Sequence, residues 1–121
     1  MLAAAVVLAA LGSGSACLED RPRPAPPFIR LTIDQATVAS PDTVTGTITV
    51  NDDDGIDSVW LAVDTVRRGD DGFFQVRYVR PYRFPVPGGL VFSDLVPIHG
   101  EARDIVGFVG VRDTFVRVRG P

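Results

Sequence analysis

Hydrophobic and polar residues alternate along several short segments of the chain after residue 27. Residues 28–34 place isoleucine or leucine at every second position, between polar neighbours. Residues 44–50 interleave valine and isoleucine with threonine, and β-branched residues are favoured in strands. Because side chains alternate between the two faces of a strand, this period predicts half-buried β-strands.

Further segments of the same kind are separated by turn residues. The predicted strands are residues 28–34, 44–50, 56–64, 73–80, 90–92, 95–98 and 114–119. Turns are predicted at Ser40-Pro41-Asp42 and in the run Asn51–Gly55, a hairpin is predicted at Arg68–Gly72, and the proline-rich stretch 81–89 predicts a short edge strand. About seven short strands, roughly 8–12 residues apart, predict an all-β sandwich.

The alternation also predicts which side chains face the core. The predicted core positions are Ile48, Val50, Val59, Leu61, Val116 and Val118. The predicted outward positions on the same strands are Thr47, Thr49, Trp60 and Arg117. A shift of one residue would exchange the two sets, so each strand has a single register to test.

Two stretches of the chain resemble a known family. The stretch at 44–59 reads VTGTITVNDDDGIDSV and resembles the second strand, loop and third strand of bacterial immunoglobulin-like and cadherin-like repeats. The stretches at 102–108 and 113–118 resemble the last two strands of those repeats. The resemblance implies one immunoglobulin-like β-sandwich of about seven antiparallel strands over residues 28–121.

The first sixteen residues predict a signal peptide. The run Leu2–Leu11 contains only leucine, alanine and valine, and is shorter than the roughly 20 apolar residues that cross a bilayer. Small residues follow as far as Ala16. The predicted domain organisation is therefore a signal peptide at 1–16, a stiff proline-rich tether at 17–27 and the β-domain at 28–121.

The residues around the predicted cleavage point resemble a lipidation signal. The sequence Gly14-Ser15-Ala16-Cys17 is similar to the lipobox of bacterial lipoproteins. In that family the cysteine is diacylated and becomes the mature N-terminus. Cleavage at the same bond without a lipid remains open, because Gly14 and Ala16 also satisfy the small-x-small rule of ordinary signal peptides.

Composition narrows the chemistry further. The net charge of −3 argues against a nucleic-acid-binding protein, which needs a basic surface. A single cysteine excludes an internal disulfide, and a single histidine, His99, excludes a two-histidine metal site. No serine has a nucleophile context, and His99 has no positioned acid in the sequence. We therefore expect no enzymatic activity.

Clustered aspartates follow the second predicted strand. Asp52, Asp53, Asp54 and Asp57 share one loop, and Asp104 and Asp113 can approach the same end of a sandwich. The sequence favours a solvated turn. The alternative is a calcium site made by Asp52, Asp53, Asp54, Asp57 and Asp104, because calcium takes six to eight oxygen ligands. No other cofactor is expected.

Aromatic residues interleaved with arginines lie in the middle of the chain. The sequence favours aromatic rings that belong to the core, with the arginine stems lying over them. The alternative is a binding surface for a protein or a glycan at Trp60, Phe73, Arg77 and Tyr82.

The leading hypothesis is a non-enzymatic cell-envelope lipoprotein. A lipid on Cys17 would hold it at the bacterial cell membrane or outer membrane, facing the periplasm or the exterior. Its immunoglobulin-like domain would be a structural or interaction module. The alternative is a secreted binding module for calcium or carbohydrate without a lipid anchor.

Overall fold

The computed structural model describes residues 25–120, so the predictions on the signal peptide, on Cys17 and on most of the tether lie outside the described residues. Within that range the chain is all-β and contains no helix, hence none that could cross a membrane. The eight strands are β1 (Phe28–Ile33), β2 (Thr37–Val38), β3 (Asp42–Asn51), β4 (Ile56–Val63), β5 (Val66–Asp71), β6 (Arg77–Val86), β7 (Leu95–Asp104) and β8 (Val109–Val118).

The strands form two sheets that enclose one core, as in a β-sandwich. The smaller sheet has the order β1-β3-β6, and the larger has the order β2-β8-β7-β4-β5. Neighbouring strands are antiparallel except for β2, which pairs with the end of β8 in parallel. Aliphatic residues of both sheets pack against Tyr78, Tyr82 and Phe84 of β6. The all-β prediction is confirmed.

The predicted register is correct on three strands. All six predicted core residues are buried, on β3, β4 and β8. Thr47 and Thr49 are half-buried, and Arg117 is exposed. Trp60 retains 39 % of its surface on the side of β4 opposite Val59 and Leu61. The alternation of β-branched residues therefore identified the core face.

The hairpin predicted at Arg68–Gly72 is wrong. The chain reverses at Asp64 and Thr65, where Asp64 has a left-handed φ of 53°, a conformation that aspartate tolerates. Residues 66–71 then form the edge strand β5. Gly69 serves close packing rather than a turn, because a Cβ there would lie 2.2 Å from the Trp60 ring.

The strand predicted at 73–80 begins later and extends further. Phe73 and Phe74 lie in a turn, and β6 starts at Arg77 and continues through two prolines to Val86. These prolines are tolerated because β6 is an edge strand that pairs only with β3. Residues 90–92 do not form the predicted strand, and β7 is longer than the segment predicted at 95–98.

Candidate functional site

Three loops meet at one end of the sandwich, which we call the loop pole: residues 52–55, 72–76 and 105–108. The amide of Ile105 donates to the carbonyl of Gly55 at 3.0 Å, and the amide of Asp52 donates to the carbonyl of Val76 at 2.9 Å. Gly55 has a φ of +103°, and a Cβ there would lie 2.8 Å from the carbonyl oxygen of Phe74. The first loop is thus packed against both of the others.

Three aspartates converge at the loop pole. Asp52 follows β3, Asp54 lies two residues later, and Asp104 ends β7. One carboxylate oxygen of each lies within 4.8 Å of those of the other two. Asp53 and Asp57, which the sequence also offered as ligands, are exposed and lie outside this group.

Asp104 organises the third loop. It is 1 % exposed, and its Oδ1 accepts the amides of Val106, Gly107 and Phe108 at 3.0, 2.8 and 2.8 Å. Its Oδ2 is also buried but has no hydrogen-bond partner. A buried acceptor without a partner costs about 1–3 kcal/mol, more when it is charged. Of the two oxygens, Oδ2 is therefore the one available to a ligand.

Asp52 is buried as well, unlike the solvated turn that the sequence favoured. Its Oδ1 accepts the amide of Asp54 at 2.9 Å. Burial raises the pKa of the Asp52 carboxyl group above its ordinary value, and the neighbouring Asp104 carboxylate raises it further. Among the described residues, no arginine forms an ion pair with Asp52, Asp54 or Asp104. The negative charge of the cluster is not neutralised by the chain itself.

The geometry of the cluster fits a hard divalent cation. The donors are all carboxylate oxygens, the ligands that calcium and magnesium prefer. Calcium–oxygen distances of about 2.3–2.6 Å allow two ligands of one ion to be up to about 5 Å apart. The 4.8 Å limit that encloses the three oxygens is compatible with that span.

The loops of the loop pole also expose apolar side chains. Phe73 and Phe74 are 60 % and 70 % exposed, and the third loop exposes Ile105 and Val106. Both phenylalanines have left-handed backbone conformations, with φ of 52° and 56°, which is unfavourable for bulky residues. The amide of Phe74 donates to the carbonyl of Ile56 at 3.0 Å and helps to hold this turn. The turn presents two aromatic rings to solvent.

The predicted binding surface of Trp60, Phe73, Arg77 and Tyr82 is not one surface. Tyr82 is buried, and its hydroxyl donates to the carbonyl of Thr32 at 2.6 Å, so its assignment to a surface is wrong. Trp60 lies on the outer face of the larger sheet, whereas Phe73 lies at the loop pole and Arg77 at the adjoining end of β6. Aromatic and arginine composition alone could not separate core rings from exposed ones.

A cleft of about 230 Å³ opens between β5 and β6. Arg68 lies over the Phe84 ring at 4.3 Å and donates to the carbonyl of Arg83 at 2.6 Å. The hydroxyl of Tyr78 donates to Asp70 at 2.6 Å. The polar groups named on the rim are thus paired within the chain, and the guanidinium group of Arg68 lies over the ring of the buried Phe84.

His99 lies on the outer face of the larger sheet between two carboxylates. Its Nδ1 lies 2.5 Å from Oδ1 of Asp113, and its Nε2 lies 3.6 Å from Oε2 of Glu101. The hydrogen bond from the imidazole to the Asp113 carboxylate raises the pKa of His99 above its ordinary value. Within residues 25–120, no hydroxyl group forms a hydrogen bond with this ring. The imidazole of His99 therefore contacts both carboxylates, and these contacts are ion pairs when the ring is protonated.

The fold and the loop pole define a class of protein: an all-β domain of two sheets with a carboxylate cluster at one end. Its fold is similar to that of Spo0M, the sporulation control protein of Bacillus subtilis, with a TM-score of 0.56 and 10 % sequence identity. The alignment covers 80 % of this chain and 51 % of Spo0M, so the chain spans about half the length of that protein. No protein-family model and no curated protein matches the sequence.

Proposed function

We propose that this chain is a non-enzymatic lipoprotein of the bacterial cell envelope, anchored by a lipid on Cys17. Its immunoglobulin-like domain acts as an interaction module, and the loop pole is its interaction surface. The observation that carries the proposal is that residues 25–27 lead into the sandwich at the loop pole, the end that also exposes the aromatic side chains of Phe73 and Phe74.

The strand order supports the immunoglobulin-like assignment. In that fold the first, second and fifth strands share one sheet, and the third, sixth and seventh share the other. Here β1, β3 and β6 correspond to strands A, B and E, while β8, β7, β4 and β5 correspond to G, F, C and C′. The short β2 pairs in parallel with β8 as a continuation of the first strand.

The entry point of the chain supports an orientation toward the anchoring membrane. Phe28, the first residue of β1, is paired with Asn51, which directly precedes Asp52. The carbonyl oxygen of Pro27 packs against Gly110, where a Cβ would lie 2.0 Å from it. A chain of n residues spans at most roughly 3.6 Å per residue, so the eight steps from Cys17 to Ala25 span at most about 29 Å.

The occupant of the loop pole is accordingly the surface of the anchoring membrane. The exposed rings of Phe73 and Phe74 are apolar groups of the kind that enter the boundary between headgroups and acyl chains. Contact of these rings with the bilayer would add to the attachment that the lipid on Cys17 provides. The tether keeps this end of the domain within reach of the bilayer.

Mass spectrometry of the mature N-terminus tests the anchor. We expect the membrane fraction to contain a chain that begins at Cys17 and carries diacylglycerol. The variant Cys17→Ala should lose that mass and should be depleted from the membrane pellet, where only the contact of the loop pole would still hold it. A soluble mature chain with an unmodified thiol at Cys17 would overturn the proposal in favour of a secreted module.

A further inference from the structure

We propose that Asp52, Asp54 and Asp104 form a calcium site that joins the first and third loops of the loop pole. The inference goes beyond the proposed function and does not depend on it, because the three residues are fully within the folded domain.

The Asp104 carboxylate has one oxygen without a hydrogen-bond partner. This side chain is 1 % exposed, its Oδ1 is occupied by three amides, and its Oδ2 is buried without a hydrogen-bond partner. Asp52 and Asp54 each bring a carboxylate oxygen within 4.8 Å of an Asp104 oxygen. A cation bound to Oδ2 would satisfy this acceptor and would be shared by all three carboxylates.

The three aspartates of the cluster differ from Asp70, whose carboxylate has partners within the same domain. Asp70 accepts the hydroxyl of Tyr78 at 2.6 Å and lies 3.4 Å from Arg80. The cluster at the loop pole, by comparison, has no arginine in ion-pair contact among the described residues. Three converging carboxylates without a cationic side chain are explained by a cation that comes from solvent.

The ligand atoms of the cluster favour calcium over zinc and magnesium. The cluster has no imidazole or thiolate ligand among the described residues, which disfavours zinc. Magnesium demands near-ideal octahedral geometry and gives up its water reluctantly, whereas calcium accepts irregular carboxylate sets. The cluster supplies three oxygens from two separate loops, and calcium would complete its six to eight ligands with further oxygens, water among them.

A bound calcium ion would fix the loops that expose apolar side chains at the loop pole. Asp104 holds the amides of residues 106–108 with one oxygen, so a cation bound to the other oxygen would fix the loop that exposes Ile105 and Val106. Asp52 and Asp54 are in the loop that packs against the Phe74 turn through Gly55. Calcium would therefore set the relative positions of the apolar side chains at the loop pole.

Thermal unfolding of the full chain in metal-free buffer, with calcium added, tests the site. We expect the Tm to rise on the order of 10 °C when calcium exceeds the Kd about 100-fold, because the ion binds the folded state alone. Asp104→Asn keeps an oxygen for the three amides and should abolish the rise. Asp53→Asn, in the same loop but outside the cluster, is the matched control and should keep it.

If Asp104→Asn fails to fold, the variant Asp54→Asn tests the calcium site instead. Asp54 is exposed, and its side chain is not needed for packing. Its calcium response should also be lost. The inference is overturned if about 10 mM calcium, above the range of extracellular calcium modules, leaves the Tm unchanged. It is equally overturned if Asp54→Asn responds like the wild type, or if magnesium gives the same rise.

The calcium test and the lipid test have separate outcomes. The Tm of the Cys17→Ala chain should rise with calcium as much as that of the wild type, because the proposed ligands are Asp52, Asp54 and Asp104. If the wild-type chain responds to calcium but carries no lipid on Cys17, the site is kept and the anchor is rejected. A lipidated chain without a calcium response would do the reverse.

Discussion

The carboxylates at the two ends of the sandwich differ in how completely their oxygens are paired within the chain. At the end opposite the loop pole, Asp42 accepts the amides of Thr43 at 2.8 Å and Ala39 at 3.1 Å, and Arg119 lies 3.9 Å away. At the loop pole, Asp104 satisfies one oxygen with three amides and leaves the other buried without a partner. One end therefore closes its turn within the chain, while the other keeps capacity for a ligand.

The exposed apolar residues repeat the contrast. The end opposite the loop pole, which we call the far end, exposes Val91 and Phe92 in a loop that also contains glycines. The loop pole exposes two phenylalanines whose backbone is left-handed, and the loop beside them exposes Ile105. Holding bulky residues in that conformation costs about 1–3 kcal/mol each, so these two residues do not serve the stability of the turn through their backbone.

The largest difference should appear between two glycines with positive φ. Gly55→Ala at the loop pole adds a Cβ 2.8 Å from the carbonyl oxygen of Phe74 and also strains a φ of +103°. Gly89→Ala at the far end strains a φ of +84° but meets nothing within 4 Å. We expect losses of about 3 and about 1 kcal/mol in the free energy of unfolding, measured with urea.

Equal losses for the two alanine variants would contradict the packing of the three loops. In that case only the φ penalty would act at Gly55, and the Phe74 turn would not rest on it. Gly107→Ala provides a control within the loop pole, because its φ is +106° but nothing lies within 4 Å. It should resemble Gly89→Ala rather than Gly55→Ala.

The next effect concerns the aromatic side chains. Replacing both Phe73 and Phe74 with serine should weaken the binding of the Cys17→Ala chain to lipid vesicles in calcium by at least about tenfold, since burying a phenylalanine contributes roughly 1.5–3 kcal/mol. Phe92→Ser at the far end is the matched control, because Phe92 is 73 % exposed. Co-sedimentation with vesicles measures both. Equal losses would mean that the membrane contact is not specific to the loop pole.

The core was predictable from the sequence because alternation is a property of the strand itself. Val50 and Leu61 are buried on strands with neighbours on both sides, where burial favours β-branched and aliphatic residues. Strand β5 reads VRRGDD and carries no such signal, since an edge strand needs few apolar residues. Phe73 and Phe74 begin a segment that fits the alternation of a strand, so the sequence predicted a strand from residue 73. The left-handed backbone of these two residues cannot be seen in side-chain periodicity.

The candidate site was only partly predictable. Asp52, Asp54 and Asp104 were among the aspartates that the sequence proposed as ligands, and the structure brings them together. The turn geometry decides that Asp54 joins the group and Asp53 does not. The burial of Asp104 depends on where β7 ends and on the three amides that follow it. Both are tertiary properties, so composition identified the kind of residue but not the ligand set.

The smallest effect should be the acid sensitivity of the far end. The amides of Thr43 and Ala39 lower the pKa of Asp42 below its ordinary value of 3.8, so its carboxylate stabilises the fold above the unfolded pKa. That contribution is lost as the pH falls through the lower, folded pKa. The Tm of the wild type should therefore drop more between pH 5 and pH 3 than the Tm of Asp42→Asn, by a small amount because Asp42 is exposed. Asp42→Asn should leave the calcium-induced rise at pH 7 unchanged, because the two ends act independently. Coincident pH profiles would show that the Asp42 turn contributes nothing through its charge, and a reduced calcium response in Asp42→Asn would show that the two ends are coupled.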